Sequence, residues 1–167
     1  MLGLRPTLTL RVARAEDAHA LAELQASIYA EGRWFVGDGA PSAETLQVRL
    51  RHPRSTSLYL VAESQAELRG WLELNRLSAK RLHHVAMLTL AVHKTQRRSG
   101  VASRLLAEAY AWARRSNISK ISLNVRAGNV GAVRLYEREG FVHEGLERKH
   151  IRTQSGFEDN LIMAKHL

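Results

Sequence analysis

The sequence contains no cysteine, and it has no long apolar run. The first absence excludes disulfide bonds, thiolate zinc sites and a cysteine nucleophile. No stretch approaches the roughly 18 consecutive apolar residues of a membrane span. Residues 1–10 lack the apolar centre of a signal peptide. We therefore expect a cytoplasmic protein without a membrane partner. Repeats, low-complexity tracts and Pro- or Gly-rich linkers are also missing, which predicts one domain over residues 1–167.

Acidic residues are few: the sequence has 16 Asp and Glu residues and 25 Lys and Arg residues, which gives a net charge of +9. Such an excess raises the local concentration of nucleotides, RNA and anionic cofactors. It can equally serve only to solvate the surface. The basic residues are scattered and are not interleaved with aromatic residues, as they are in a nucleic-acid groove. We do not expect nucleic acid as a partner, whereas a homodimer is compatible with the sequence.

Hydrophobic periodicity and capping residues predict the element order β-α-α-β-β-β-α-β-α-β-β. The predicted strands cover residues 7–12, 58–62, 68–77, 84–92, 121–125, 141–151 and 157–163. The predicted helices cover residues 16–29, 42–51, 101–116 and 129–139. Ser42 and Asn129 are the expected N-caps, and Gly140 is the expected C-terminal stop. This order indicates an α/β (α+β) fold with a mixed sheet and helices on both faces. Residues 84–92 are apolar at almost every position, which predicts a strand covered on both faces.

A basic segment rich in small residues follows the strand at 84–92, and a helix begins immediately after it. Residues 92–102 read Val-His-Lys-Thr-Gln-Arg-Arg-Ser-Gly-Val-Ala. Consecutive backbone N–H groups and a helix dipole would point at one spot beside Arg97 and Arg98, and Gly100 permits close backbone approach. The segment predicts a seat for a phosphate or pyrophosphate. It is neither the G-x-x-x-x-G-K-[ST] loop nor the G-x-G-x-x-G loop, and the Mg²⁺ ligands of phosphoryl transfer are missing.

A second segment, about thirty residues downstream, reads Asn129-x-x-Ala132-x-x-Leu135-Tyr136-x-x-x-Gly140-Phe141. Together with Arg97-x-x-Gly100-x-Ala102 it resembles the GCN5-related N-acetyltransferase (GNAT) superfamily. The element order agrees throughout, and residues 123–136 look especially similar to bacterial protein N-terminal and amino-acid acetyltransferases. The resemblance implies the GNAT fold, with a mixed, mostly antiparallel sheet of about seven strands.

The resemblance also implies acetyl-coenzyme A (acetyl-CoA) as the donor substrate and assigns residues to it. Backbone groups of Leu90, Ala91 and Val92 would pair with the pantetheine arm. The pyrophosphate would be held by N–H groups of the residues Arg97, Arg98, Ser99, Gly100, Val101, Ala102 and Ser103. Asn129 would hydrogen-bond the cofactor arm, and Tyr136 would protonate the departing thiolate. From the residues alone, Asn129 is equally a helix cap and Tyr136 equally an aromatic residue packed under Phe141.

The base that deprotonates the acceptor stays open at this point. Members of the superfamily commonly carry a glutamate in the sheet at positions that here hold Met87 and Asn124, and neither accepts a proton usefully at neutral pH. Glu73, His83 and His84 are the remaining candidates, beside a water chain or an acceptor that arrives neutral. The loop with Trp34, Phe35 and Asp38, together with the closing hairpin, would form the acceptor side.

These observations predict an N-acetyltransferase that moves an acetyl group from acetyl-CoA to a primary amine by direct attack in a ternary complex. The acceptor would be a small molecule or a peptide, namely an amino acid, a peptide or a protein N-terminus. No metal is expected. The alternative is a catalytically weak acyl-CoA-binding sensor or assembly module of the same fold, which the absence of both usual glutamates favours.

Overall fold

The computed structural model describes residues 7–52 and 56–167, and within these ranges it contains seven strands and four α-helices. The strands are β1 (Thr9–Val12), β2 (Ser57–Ser64), β3 (Glu67–Arg76), β4 (Val85–Val92), β5 (Lys120–Arg126), β6 (Val142–Thr153) and β7 (Gly156–His166). The helices are α1 (Ala18–Tyr29), α2 (Ala43–Arg51), α3 (Val101–Arg115) and α4 (Val130–Arg138). No helix in this part of the chain is long and apolar enough to cross a membrane. Residues 1–6, on which the signal-peptide prediction mainly depends, lie outside the described residues.

The strands form one open sheet in the order β1-β2-β3-β4-β5-β7-β6. Every neighbouring pair is antiparallel except β4 and β5, which are parallel. The predicted order of elements and the mixed, mostly antiparallel sheet are therefore confirmed. The closing hairpin is longer than predicted, because backbone pairing continues past Ile151 in β6 and past Met163 in β7.

The two parallel strands in the centre of the sheet part after a short contact. Their pairing covers Val85 with Lys120, Ala86 with Ile121 and Met87 with Ser122. Beyond this point β4 continues to Val92 and β5 to Arg126. Among the described residues, no strand lies beside the β5-facing edge of β4 from 88 to 92, so this edge carries backbone groups that a ligand can bind.

Side-chain alternation along the strands gives the sheet two different faces. One face packs against α3 and α4 and contains the larger core, with Leu72, Leu88 and Leu123 from the sheet. The other face packs against α1 and α2, with Val61 and Trp71 from the sheet. The predicted inner face of α3 is confirmed, since its members are buried apart from the half-buried Trp112: Val101, Leu105, Leu106, Ala109 and Ala113.

The first helix begins two residues later than predicted, because a 3₁₀ turn, Ala15–Asp17, precedes α1. The Asp17 carboxylate accepts hydrogen bonds from Arg11 Nη1 at 2.7 Å and from the Arg14 backbone N–H at 2.7 Å. These bonds hold the first turn tight and lower the pKa of Asp17, chiefly through Arg11. The other capping predictions are confirmed: Ser42 Oγ accepts from the N–H of Thr45, and Gly140 adopts φ +87° after α4.

Candidate active site

The loop between β4 and α3 presents a row of backbone N–H groups. Arg98 and Gly100 both adopt left-handed conformations, with φ of 61° and 83°, and α3 begins directly after them. The Arg104 N–H donates to the carbonyl of Gly100 at 3.1 Å. Within the described ranges, no acceptor is bonded to the N–H groups of residues 98–103. This loop can therefore bind an anion with backbone groups at the positive end of a helix dipole.

Arg97 points its guanidinium away from this row and toward the loop after α1. Its Nη1 donates to Glu31 Oε2 at 2.9 Å, and its Nε donates to the carbonyl of Val92 at 3.0 Å. Trp34 Nε1 donates to the same Glu31 oxygen at 2.7 Å, and the Arg97 guanidinium lies 5.2 Å from the Trp34 ring centre. The Arg97 hydrogen bond lowers the pKa of Glu31. We call Glu31, Trp34 and Arg97 the clasp, because they join the loop after α1 to the loop after β4.

Arg126 makes a similar connection from the end of β5. Its Nε donates to Glu158 Oε2 at 2.8 Å, and its Nη1 approaches the carbonyl of Gly32 at 3.4 Å. Glu158 also accepts from the N–H of Gly128 at 2.8 Å. Arg97, five residues after β4, and Arg126, at the end of β5, thus reach adjacent residues, Glu31 and Gly32, of the same loop.

Asn129 immediately precedes α4, and Tyr136 lies on this helix. Asn129 Oδ1 accepts from the Ala132 N–H at 3.2 Å, so the residue caps the helix. Tyr136 is 6% exposed and belongs to the core on the α3 side, where its ring centre lies 5.4 Å from that of Phe141. Burial raises the pKa of Tyr136, so its hydroxyl gives up a proton less readily than that of an exposed tyrosine. Both structural roles that the residues suggested are observed, and their roles toward acetyl-CoA stay predictions.

An open cleft of about 350 Å³ lies on the opposite face of the sheet, under α1 and α2. Glu73 and its cross-strand partner Thr89 form part of its lining. Asn75 Nδ2 donates to Glu73 Oε1 at 2.9 Å, and Arg49 Nη1 approaches the same oxygen at 3.4 Å. The Glu73 side chain is only 15% exposed, whereas that of Arg49 is 49% exposed. We call this cavity the Glu73 cleft.

One wall of the Glu73 cleft is aromatic. Phe35 stacks on Tyr29 with ring centres 4.8 Å apart and on Trp71 with ring centres 5.8 Å apart. All three rings line the cavity. The cleft therefore combines an apolar wall with an adjacent carboxylate and guanidinium, the mixture that small-molecule sites commonly contain.

Known proteins share this sequence pattern. A model of the acetyltransferase (GNAT) family matches residues 18–141, more than half of the chain. The chain belongs to the GNAT family. It is therefore an N-acetyltransferase whose donor substrate is acetyl-CoA.

Two curated relatives align over most of the chain. The N-alpha-acetyltransferase RimI of Mycobacterium tuberculosis is 29% identical over 87% of this chain and 85% of its own length. The L-amino acid N-acetyltransferase AaaT of Escherichia coli K12 is 30% identical over 75% of this chain and 77% of its own length. These alignments agree with the family and leave the acceptor of this member open.

Two solved structures share the fold. A GNAT-family acetyltransferase from Streptococcus pneumoniae superposes with a TM-score of 0.89 at 28% identity, covering 96% of this chain and 99% of the other. The yncA structure from Salmonella typhimurium, solved with its cofactor acetyl-CoA, superposes with a TM-score of 0.87 at 17% identity, covering 96% and 94%. The seven-stranded sheet is thus the GNAT fold.

The Glu73 cleft contains residues that the sequence did not single out. The prediction that residues 84–92 form a strand covered on both faces is wrong at Thr89, which is exposed because the cleft opens over the middle of β4. Arg49 was missed because it lies on α2, far from either motif. A usable signal was the alternation of Trp71 and Glu73, which places a carboxylate beside a core aromatic residue on one face of β3.

Three predicted site residues lie outside this cleft. His84 precedes β4 at its paired end, where its carbonyl accepts from Ser119 and Lys120 N–H groups at 2.9 and 3.0 Å. At about 3.3 Å per residue, His84 is about 16 Å along the strand from Thr89. Asp38 is exposed and does not line the cleft, and Trp34 belongs to the clasp. The structure therefore brings Glu73, and not His84 or Asp38, to the exposed middle of β4.

Proposed function

We propose that this GNAT enzyme moves the acetyl group of acetyl-CoA to a primary amine by direct attack in a ternary complex. The observation that carries the proposal is the parting of β4 and β5 after Met87 and Ser122. Tyr136 lies in the core on one side of the sheet, and Glu73 lines a cleft on the other. A thioester in the gap between the strands is accessible from both faces.

The donor is held mainly by backbone groups. The N–H groups of residues 98–103 bind the pyrophosphate, and the free edge of β4 at Leu90 and Val92 pairs with the pantetheine arm as an added strand would. The prediction that Ala91 shares this role is wrong, because the antiparallel register turns its backbone groups toward β3. Asn129 hydrogen-bonds the same arm while its Oδ1 caps α4. Arg97 contributes positive charge beside this site, although its hydrogen bonds go to Glu31 and Val92.

Proton transfer is divided between the two faces of the sheet. The acceptor ammonium gives a proton to Glu73, and its nitrogen attacks the thioester carbon. A strand N–H, at Leu90, stabilises the oxyanion that forms. The attacking nitrogen then loses its second proton to solvent and the carbon–sulfur bond breaks. Tyr136 donates its proton to the leaving thiolate and regains one from solvent. Glu73 takes the base role because it faces Thr89 across the strands. It lies on the same side of the sheet as Met87, one of the positions where members of the superfamily commonly carry a glutamate.

The acceptor class includes amino acids, peptides and protein N-termini. One relative's name describes an N-alpha-acetyltransferase and the other's describes an enzyme of L-amino acids. Both names support an acceptor amine on an α-carbon. A cytoplasmic location, a single domain and a homodimer remain predictions.

Two measurements test this function. Saturating acetyl-CoA should raise the thermal unfolding temperature of the protein, because a ligand that binds only the native state stabilises it. Coenzyme A release is then measured with a panel of amino acids, peptides and polyamines. We expect turnover with at least one α-amine. Thermal protection without turnover on any amine would instead support the acyl-CoA-binding module.

A further inference from the structure

We propose that the acceptor is a free α-amino acid with an apolar side chain, bound as a zwitterion in the Glu73 cleft. The inference rests on the proposed function, and it narrows the acceptor by requiring the free carboxylate. It is carried by the pairing of Arg49 with Glu73 and by the aromatic wall beside them.

The carboxylate of Glu73 is available to an ammonium. The hydrogen bond from Asn75 and the longer contact with Arg49 both end on Oε1. Among the described residues, nothing is bonded to Oε2. Glu73 is largely buried at 15% exposure, so an ammonium that reaches Oε2 meets a carboxylate with little water around it. The cross-strand partner Thr89 places this ammonium beside the exposed middle of β4.

The guanidinium of Arg49 lacks a partner of opposite charge once the substrate ammonium binds to Glu73. Its contact with Glu73, at 3.4 Å, is longer than an ordinary N–H···O hydrogen bond of about 2.7–3.2 Å. Its Nε and Nη2 atoms have no hydrogen-bond partner among the described residues. When the substrate neutralises Glu73, the guanidinium loses the one carboxylate among the described residues that line the cleft. A planar carboxylate is the group that a guanidinium binds best.

A free α-amino acid supplies both charges with the spacing that the cleft offers. Its ammonium and carboxylate are attached to one carbon atom, and the two protein groups that would bind them are also adjacent. A peptide or a protein N-terminus has an amide in place of the carboxylate and leaves Arg49 unpaired. A polyamine brings further positive charge toward Arg49 on a protein of net charge +9.

The aromatic wall selects the side chain of the substrate. Tyr29, Phe35 and Trp71 form a continuous stack along the cavity. The volume of about 350 Å³ is at the small end of small-molecule sites, which span about 300–1,000 Å³. An apolar side chain removes water from these rings, whereas a charged one would lose hydration without a partner.

The test compares L-phenylalanine with L-phenylalaninamide, with acetyl-CoA and the full chain. The two compounds differ only at the carboxylate, and the amine of the amide is the easier one to deprotonate. We expect kcat/KM for the acid to exceed that for the amide by at least about tenfold, the scale of a charged hydrogen bond. L-Leucine should also exceed L-aspartate and L-lysine.

The variant Arg49→Leu isolates the carboxylate contact. We expect it to lower kcat/KM for L-phenylalanine by about ten- to a hundredfold and that for the amide by less than about threefold. Arg51→Leu is the matched control, since Arg51 is exposed on the same helix and does not line the cleft. Thermal protection by acetyl-CoA shows that each variant is folded.

Two results would overturn the inference. One is a wild-type enzyme that acetylates the amide or a phenylalanyl peptide as well as the acid. The other is an Arg49→Leu variant that loses acid and amide equally. Both leave the proposed function intact, because acetyl transfer to an amine would still be observed. If Arg49→Leu does not fold, the wild-type comparison of acid and amide decides alone.

Discussion

The sites that we propose for the two substrates are built from different parts of the chain. On the donor side, the groups that can hold acetyl-CoA are N–H groups of one loop and one strand edge, from residues 88–103. On the acceptor side, the Glu73 cleft depends on side chains from α1, α2, β3, β4 and the loop after α1. Backbone groups are present whatever the side chains are, so the donor side can stay constant while the acceptor side varies.

The largest effect should come from Glu73 on the acceptor side. Glu73→Gln keeps the shape of the side chain and removes its capacity to take a proton. We expect kcat to fall by about 10²- to 10⁴-fold, the usual contribution of a general base, while acetyl-CoA protects the variant as well as the wild type. Glu67→Gln, at the exposed start of the same strand, should be unchanged. Turnover within about threefold of wild type would place the base elsewhere.

A smaller effect should come from Tyr136 on the donor side. Tyr136→Phe removes the proton donor, and we expect kcat to fall by about 10- to 100-fold, because a thiolate leaves readily even without help. Affinity for acetyl-CoA should be nearly unchanged. Tyr110→Phe is the control, since Tyr110 lies in the same core but more than two turns into α3. Equal loss in both variants would mean that the hydroxyl of Tyr136 acts only through packing.

The smallest effect should come from the clasp, where the two sides meet. Arg97→Ala removes the bonds to Glu31 and Val92, so we expect the KM for both acetyl-CoA and the acceptor to rise by about three- to tenfold. Arg98→Ala, one residue along the same loop, should raise only the KM for acetyl-CoA. If Arg97→Ala, like Arg98→Ala, leaves the KM for the acceptor unchanged, Arg97 contributes only to the binding of acetyl-CoA.

The sequence predicted features that depend on consecutive residues and did not predict those that depend on contacts between distant segments. The donor loop was recognisable because its residues are consecutive and because Gly100 marks a left-handed turn before a helix. The order of elements followed from periodicity and from caps such as Ser42 and Asn129. The parting of β4 and β5 was not predictable, because pairing register depends on contacts between distant segments. Likewise, Arg49 meets Glu73 only after α2 folds onto the sheet.

Arg97 itself shows the limit of a motif. Its place in the loop predicted a contact with phosphate, and that role stays a prediction. In the structure its guanidinium donates hydrogen bonds to Glu31, a residue 66 positions earlier in the chain. A carboxylate partner so far away in the sequence leaves no local pattern. Only the folded structure shows that one ion pair joins the loop after β4 to the loop after α1.

That shared ion pair has a thermodynamic consequence. An anion that draws Arg97 away from Glu31 breaks a contact that holds the loop after α1. The binding of one substrate therefore alters the free energy of binding the other. Linkage is reciprocal: the factor by which acetyl-CoA changes the affinity for the acceptor must equal the factor by which the acceptor changes the affinity for acetyl-CoA. The clasp would then make the binding of the two substrates cooperative. The cooperativity is positive if the loop after α1 binds the acceptor better without the Arg97–Glu31 ion pair, and negative if it binds the acceptor better with it.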